Sequence, residues 1–364
     1  MVQTTNLSDL PEDLVMEIFS RLPVKCLLQS KSVKKDWYAL IENPIFIQKH
    51  LNHPNNPTNY FVHHYFLDTM KSGFTLFYEQ NQLFAKSHLY QDVLNTSTYL
   101  WEILGPLNGL FLLYNDQEEV ALWNPSTKEF KPLIICQPLN SPSFHLSSYK
   151  FGFGMEPSSG DYKVIWIKDY WDNYSENWHS PTIISVYTLS TNSWRNYEEF
   201  NIFSRDMVKS SGNTYLNGFY YWKACKNDKI FAFDMSNDTI QEIQTPKLFI
   251  SKQGDLALFN DFIAMYIYEP IIIGRETCID IWVMEKKGYW TKKVRIGPFC
   301  NIKRSLGYGN KGEIFLEVST WQLDIFDFCP KKNRVLGRQK NGYFLQAFAY
   351  KESLVSLKKN SFVI

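Results

Sequence analysis

Six short hairpins recur along the chain, and their spacing constrains the fold more than any other feature. Residues 122–130, 186–194, 232–240, 281–290 and 325–335 each place an aromatic residue in a first strand, then a polar turn, then a bulky residue seven to nine positions on; 77–84 is a weaker copy. The leading aromatics are Phe77, Trp123, Tyr187, Phe233, Trp282 and Phe326, separated by 46, 64, 46, 49 and 44 positions. One small antiparallel sheet cannot cover both its faces, whereas a ring of such sheets can, and a period of about 40–50 residues is the length of one sheet in such a ring. The pattern predicts an all-β, six-bladed β-propeller-like domain over 60–358. Too few residues follow residue 342 for a seventh sheet, so 343–358 is expected to pair beside the sheet that holds Phe77. The one long step contains about 18 extra residues, most of them between Lys168 and Pro181.

Composition agrees with strands. Aromatic residues make up 16% of the 364 positions, a bias that favours sheets and interaction surfaces over helical bundles. A formal net charge of +1 removes the general electrostatic case for nucleic acid. Residues 1–6 have no apolar signal core, and the longest apolar runs, such as 110–114, are strand-sized, so no membrane span is expected. The six cysteines form no Cys-x-x-Cys pair, which fits free thiols in a reducing cytoplasm, with the nucleus as a second compartment, better than disulfides or zinc.

The chain changes character before residue 60. Pro11 suits the opening turn of a helix, and Glu12 and Asp13 favour its positive end. Leu14, Ile18 and Leu22 recur at i, i+4 and i+8, with Val15 and Phe19 beside them, as one broad apolar stripe. Pro23 stops that helix and starts another. Val24, Leu27 and Leu28 are expected to face inward on the second helix, and Val33, Trp37, Leu40 and Ile41 on a third. Three or four short helices over 8–51 cannot bury their own apolar faces. Residues 52–59, with Pro54 and Pro57, read as a linker, and the core of the propeller is expected to be separate from that of the helices.

Residues 8–51 resemble the F-box, the small all-α module by which substrate receptors dock onto the Skp adaptor of Cullin-type ubiquitin ligases. The resemblance rests on Leu10, Pro11, Leu14, Ile18, Leu22, Pro23, Val24, Leu27, Val33 and Trp37, and it implies that these residues form the adaptor-binding face. Gln29, Ser30 and Ser32 depart from the basic, aromatic and cysteine residues common there. Residues 60–358 resemble the F-box-associated β-propeller of plant F-box proteins. Gly105-Pro106-Leu107-Asn108-Gly109, Trp123-Asn124-Pro125-Ser126-Thr127, Asp161-Tyr162-Lys163-Val164 and Phe233-Asp234-Met235-Ser236 carry the likeness, which is greatest to the S-locus F-box group. That group acts in pollen self-incompatibility and recognises a basic secreted pistil ribonuclease. The resemblance therefore implies a substrate-recognition subunit of a Skp–Cullin–F-box ligase, joined through its adaptor to Cullin and RING subunits. A plant F-box receptor for an unrelated cytosolic target, and a propeller interaction scaffold without ligase linkage, remain as alternatives.

Signatures of chemistry on the chain itself are lacking. Gly307-Tyr308-Gly309-Asn310-Lys311-Gly312 matches G-x-G-x-x-G literally, but strand-like residues follow it where a nucleotide fingerprint needs a helix start, so it reads as a hairpin turn. No G-x-S-x-G elbow occurs, and the seven histidines have no H-E-x-x-H spacing. Glu118-Glu119 lies in a polar turn and reads as solvated charge. No catalytic residue, metal or cofactor is assigned, and the chain is read as a non-catalytic receptor. The segment from Lys168 is the candidate target-binding element: a projecting loop in which Asp169, Asp172 and Glu176 steer a basic partner and Tyr170, Trp171 and Trp178 supply contact area.

Overall fold

The computed structural model describes residues 10–69, 71–80, 83–89, 100–134, 144–172, 182–198, 207–208, 214–224, 229–246, 253–269, 271, 275–309, 311–318, 321–328, 331–339 and 342–358. Four short helices come first: α1 Glu12–Ser20, α2 Val24–Ser30, α3 Lys35–Ile41 and α4 Pro44–Asn52. Pro11 and Pro23 occupy the N-cap positions of α1 and α2. Asn43 caps α4, its side chain accepting a hydrogen bond from the Ile45 N–H at 2.8 Å. Val15, Phe19, Val24, Leu27, Leu40, Ile41 and Phe46 are buried, and Phe19 meets Trp37 edge to face with ring centroids 5.1 Å apart.

Six antiparallel sheets follow. The first contains β1 Asn59–Phe66, β2 Lys71–Gln80 and β3 Leu83–Leu89, and the second β4 Glu102–Leu107, β5 Leu110–Tyr114, β6 Val120–Asn124 and β7 Glu129–Pro132. The third contains β8 Phe144–Met155, β9 Tyr162–Asp172, β10 Thr182–Thr188 and β11 Ser193–Glu198. In the fourth, two short strands, β12 Met207–Val208 and β13 Tyr215–Leu216, share one flank of β14 Phe219–Ala224, followed by β15 Lys229–Asp234 and β16 Thr239–Gln244. The fifth contains β17 Gln253–Phe259, β18 Phe262–Tyr268, β19 Thr277–Lys286 and β20 Tyr289–Phe299. The sixth contains β21 Ile302–Tyr308, β22 Ile314–Val318, β23 Gln322–Asp327 and β24 Lys332–Arg338. The last strand, β25 Gly342–Tyr350, returns to pair with β1, so the first sheet runs β25-β1-β2-β3. This closure ties the two ends of the ring in one sheet and removes two free edges. The architecture is a six-bladed propeller preceded by short helices.

All six leading aromatics fall on the third strand of their blades: Phe77 on β2, Trp123 on β6, Tyr187 on β10, Phe233 on β15, Trp282 on β19 and Phe326 on β23. Five are buried and Trp282 is half-buried. Trp123 shows what the position does. It packs on Phe61, Phe74 and Phe111, filling the space between the first two blades. The turns that follow are tight because a residue in the left-handed region closes them: Lys128, Asn192, Asp238 and Lys331 have φ of 60, 50, 53 and 60°. Asn124 and Asp234, at equivalent turn starts, each accept a backbone N–H two residues on. The glycine-rich segment after β21 is a turn, with the Gly309 N–H donating to Glu313 O at 2.8 Å.

The helices and the propeller do not have separate cores. Residues 351–358 leave β25 without regular structure and run between the two, and their Leu354, Val355 and Leu357 belong to one buried cluster with Val15, Phe19, Val24 and Leu27 on one side and Leu104, Leu107, Leu110 and Leu122 on the other. Each such side chain removed from water stabilises by about 1.5–3 kcal/mol. The expected separation fails because residues some 300 positions after the helices complete their apolar face.

Candidate docking and recognition surfaces

The helical face is narrower than the sequence implies. Leu14 is 51% exposed, Ile18 37% and Val33 67%, and Pro11 and Pro23 are also exposed. Leu10, Leu22 and Trp37 are partly buried against the core. Val24 and Leu27 are fully buried, so their part in a docking face is indirect: they hold α2 in place. Val33 corrects the expectation of an inward residue, because it sits in the turn before α3 and not on it. Tyr38 and Ile45 are exposed too, and the sequence pattern gave no sign of either. Beside this face Glu17 accepts from Arg21 at 2.8 Å and pairs with Lys49 at 3.0 Å, which together hold its carboxyl down at about 2. Cys26, Cys278 and Cys300 are free thiols.

Connections in an antiparallel sheet emerge alternately at its two ends. The end of the propeller that meets the helices has short turns: 108–109, 125–128, 156–161, 189–192, 217–218, 235–238, 260–261, 287–288, 309–313 and 328–331. Contacts between residues 351–358 and Gly109, Asn124, Ser126 and Glu129 identify this end. The longer connections, 90–101, 133–143, 173–181, 199–206, 245–252 and 269–276, all start and finish at the opposite end. Long connections on a rigid scaffold are where recognition residues concentrate. The far end is therefore the candidate recognition face.

The proposed recognition loop needs correcting at its start. Lys168, Asp169 and Tyr170 are buried within β9, which runs on to Asp172 between β8 and β10. The Asp169 carboxylate accepts from Ser148 Oγ at 2.8 Å and Thr182 Oγ1 at 3.0 Å, so it is a structural acid and not an exposed steering charge. Trp171 and Asp172 end the strand, while Glu176 and Trp178 lie outside the described residues. Much of the extra length after Trp123 is spent on the long hairpin of β8 and β9. Lys168 lies 4.1 Å from the Trp166 ring centroid, and burial holds its ammonium down at about 8.

An acidic site adjoins this hairpin at the same end. Glu102, Asp116 and Glu118 line an open cavity of about 460 Å³ with Tyr114, Leu146, Ser148, Tyr149 and Lys150. Burial and the three carboxylates together push the Tyr149 hydroxyl up to about 12. Glu118, read from its polar turn as solvated charge, has φ 61° and is only partly exposed. Sequence reasoning missed the site because Glu102 precedes the turn by a whole hairpin. Among the described residues, no group of three or more His, Cys, Asp or Glu stands close enough to hold a metal ion, and no helix is long and apolar enough to cross a membrane.

Comparison with known proteins agrees with both halves. The F-box domain family model matches residues 7–49, and the F-box associated beta propeller domain model matches 61–342. Among relatives from Arabidopsis thaliana, F-box protein CPR1 is 23% identical over 91% of this chain and 84% of its own length. An F-box/kelch-repeat protein from the same plant is 26% identical over 85% of both chains. The chain belongs to the plant F-box proteins that have an F-box-associated β-propeller.

Proposed function

We propose that this chain is the substrate-recognition subunit of a Skp–Cullin–F-box ubiquitin ligase, acting in the cytoplasm or nucleus. The observation that carries the reading is the pair Leu14 and Ile18, apolar residues one helical turn apart on α1 that the fold leaves partly exposed. A Skp-type adaptor covers them, and through it the Cullin and RING subunits are recruited. The chain then contributes positioning: it holds target lysines near the conjugating enzyme and raises their effective concentration. The remaining adaptor-face residues, Leu10, Pro11, Leu22, Pro23, Val33 and Trp37, frame the pair, and Val24 and Leu27 support it from inside.

The target is a basic protein, of the type of the pistil ribonucleases bound by the S-locus group. The acidic cavity of Glu102, Asp116 and Glu118 favours this reading, with Trp171 and Asp172, at the end of β9, and Glu176 and Trp178, which follow in sequence, as further proposed contacts. Affinity capture with the full chain tests both halves. Recovery of the adaptor by the wild type and its loss in Ile18→Asp supports ligase linkage; no adaptor recovery assigns the chain to an interaction scaffold. Adaptor recovery without any basic partner assigns it to a different target.

A further inference from the structure

Residues 351–358 have no regular secondary structure, yet Ser353, Leu354, Val355 and Leu357 are buried. Backbone groups in such a segment need side-chain partners, and here three residues of the second blade, Asn124, Ser126 and Glu129, supply four of them. Asn124 Nδ2 donates to Ser353 O at 3.1 Å and to Val355 O at 2.7 Å. Glu129 accepts from the Leu357 N–H at 2.5 Å and from Ser356 Oγ at 3.1 Å. Ser126 Oγ accepts from the Ser353 N–H at 3.0 Å and bonds the Tyr350 hydroxyl. The opposite side of the segment faces the helices. Asn56 Nδ2 donates to Glu352 O at 2.9 Å, and Glu352 Oε2 accepts a long bond of 3.4 Å from the Val24 N–H at the start of α2. Gly109, with φ +78°, admits the segment because a Cβ there would come within 2.4 Å of Ser353 Cβ.

We infer that residues 351–358 are a strap that fixes the F-box at one angle to the propeller, with Asn124, Glu129 and Asn56 as its positioning residues. The two parts are thus held at two places, by the covalent linker 53–58 and by the packed segment 351–358, and a second attachment suppresses the swivel that one linker allows. The inference rests on the proposed ligase reading only for its consequence: a fixed angle restricts which target lysines reach the conjugating enzyme. The angle itself does not depend on that reading.

The test uses the full chain, a chain ending at Lys351, and full-length Gly109→Val and Glu129→Ala. Small-angle scattering and the rate of cleavage within 53–58 by a broad-specificity protease report the angle, and thermal unfolding reports the propeller. The strap predicts a larger maximum dimension and cleavage about tenfold faster in the shortened chain and in Gly109→Val, with propeller unfolding retained. Should the shortened chain fail to fold, Glu129→Ala decides, with an intermediate rise in cleavage expected. Unchanged scattering and cleavage in the folded variants overturn the inference. In the reconstituted ligase, the full chain's own modified lysines, mapped by mass spectrometry, are expected to cluster in one sector and to spread in the variants. Failure to bind the adaptor removes that last readout and refutes the ligase reading alone.

Discussion

Replacing Leu14 and Ile18 together by alanine tests the docking face at its centre. Leu14 is 51% exposed and Ile18 37%, so docking can remove from water only those fractions of each side chain. Full burial of such a side chain stabilises by about 1.5–3 kcal/mol, which scales to about 2 kcal/mol for the exposed parts of the pair, or about a thirtyfold weaker Kd. Isothermal calorimetry or surface plasmon resonance against the purified adaptor measures it directly. Because neither residue anchors the internal core, the thermal unfolding of the free chain is expected to move little. Leu27→Ala is the control of opposite character. Fully buried Leu27 is expected to cost about 2–5 kcal/mol of folding stability, and to weaken adaptor binding only through that loss. Equal adaptor affinity in wild type and double variant would refute the assignment of α1 as the contact, whatever Leu27→Ala does.

Three further outcomes are expected. Glu317 is fully buried between Lys303 and Arg304, and Arg304 also donates to Phe344 O of the closing strand; Arg304→Ala is expected to cost about 3 kcal/mol in urea unfolding, and more than Glu317→Gln. Lys168 titrates near 8 when folded against an ordinary 10.5, so above pH 8 the unfolded chain retains a proton that the folded chain has lost and stability rises with pH; below 8 both states hold it and the contribution is flat. Lys168→Met is expected to be more stable at pH 7 and to remove about 2 kcal/mol of the rise between about pH 7.5 and 9.5, measured by denaturant unfolding. Glu102→Gln, Asp116→Gln and Glu118→Gln combined are expected to slow association of a basic ribonuclease probe up to about tenfold at low salt, with adaptor binding intact; an unchanged on-rate would exclude the cavity from recognition.

The propeller was legible because its signal is local and repeated. Trp123, Tyr187 and Phe233 each precede a polar turn, and the same hairpin recurs until the ring closes. The closing pair of β1 and β25 followed from counting residues, not from any motif. The F-box helices were legible for the same reason, through Pro11, Pro23 and the stripe between them. Leu14 and Ile18 were expected on the docking face from the resemblance and are exposed; that residues 351–358 cover the other side of the helices was not legible, since no helical period refers to them. Asp169 misled because an acid between a lysine and a tyrosine reads as a loop. Its two hydroxyl partners, Ser148 and Thr182, are contributed by the flanking strands.

The strand order also has a consequence for synthesis. α1 to α4 leave the ribosome before the blades, but Leu354, Val355 and Leu357, which complete their apolar face, are made after all six blades have been started. β1 likewise waits for β25 with one edge open. A nascent chain therefore presents sticky helices and an unpaired strand throughout translation, and both are satisfied almost at once by the same seventeen residues, 342–358. A product halted before them would retain Leu14 and Ile18 without a closed propeller, and so could occupy an adaptor while delivering nothing to it.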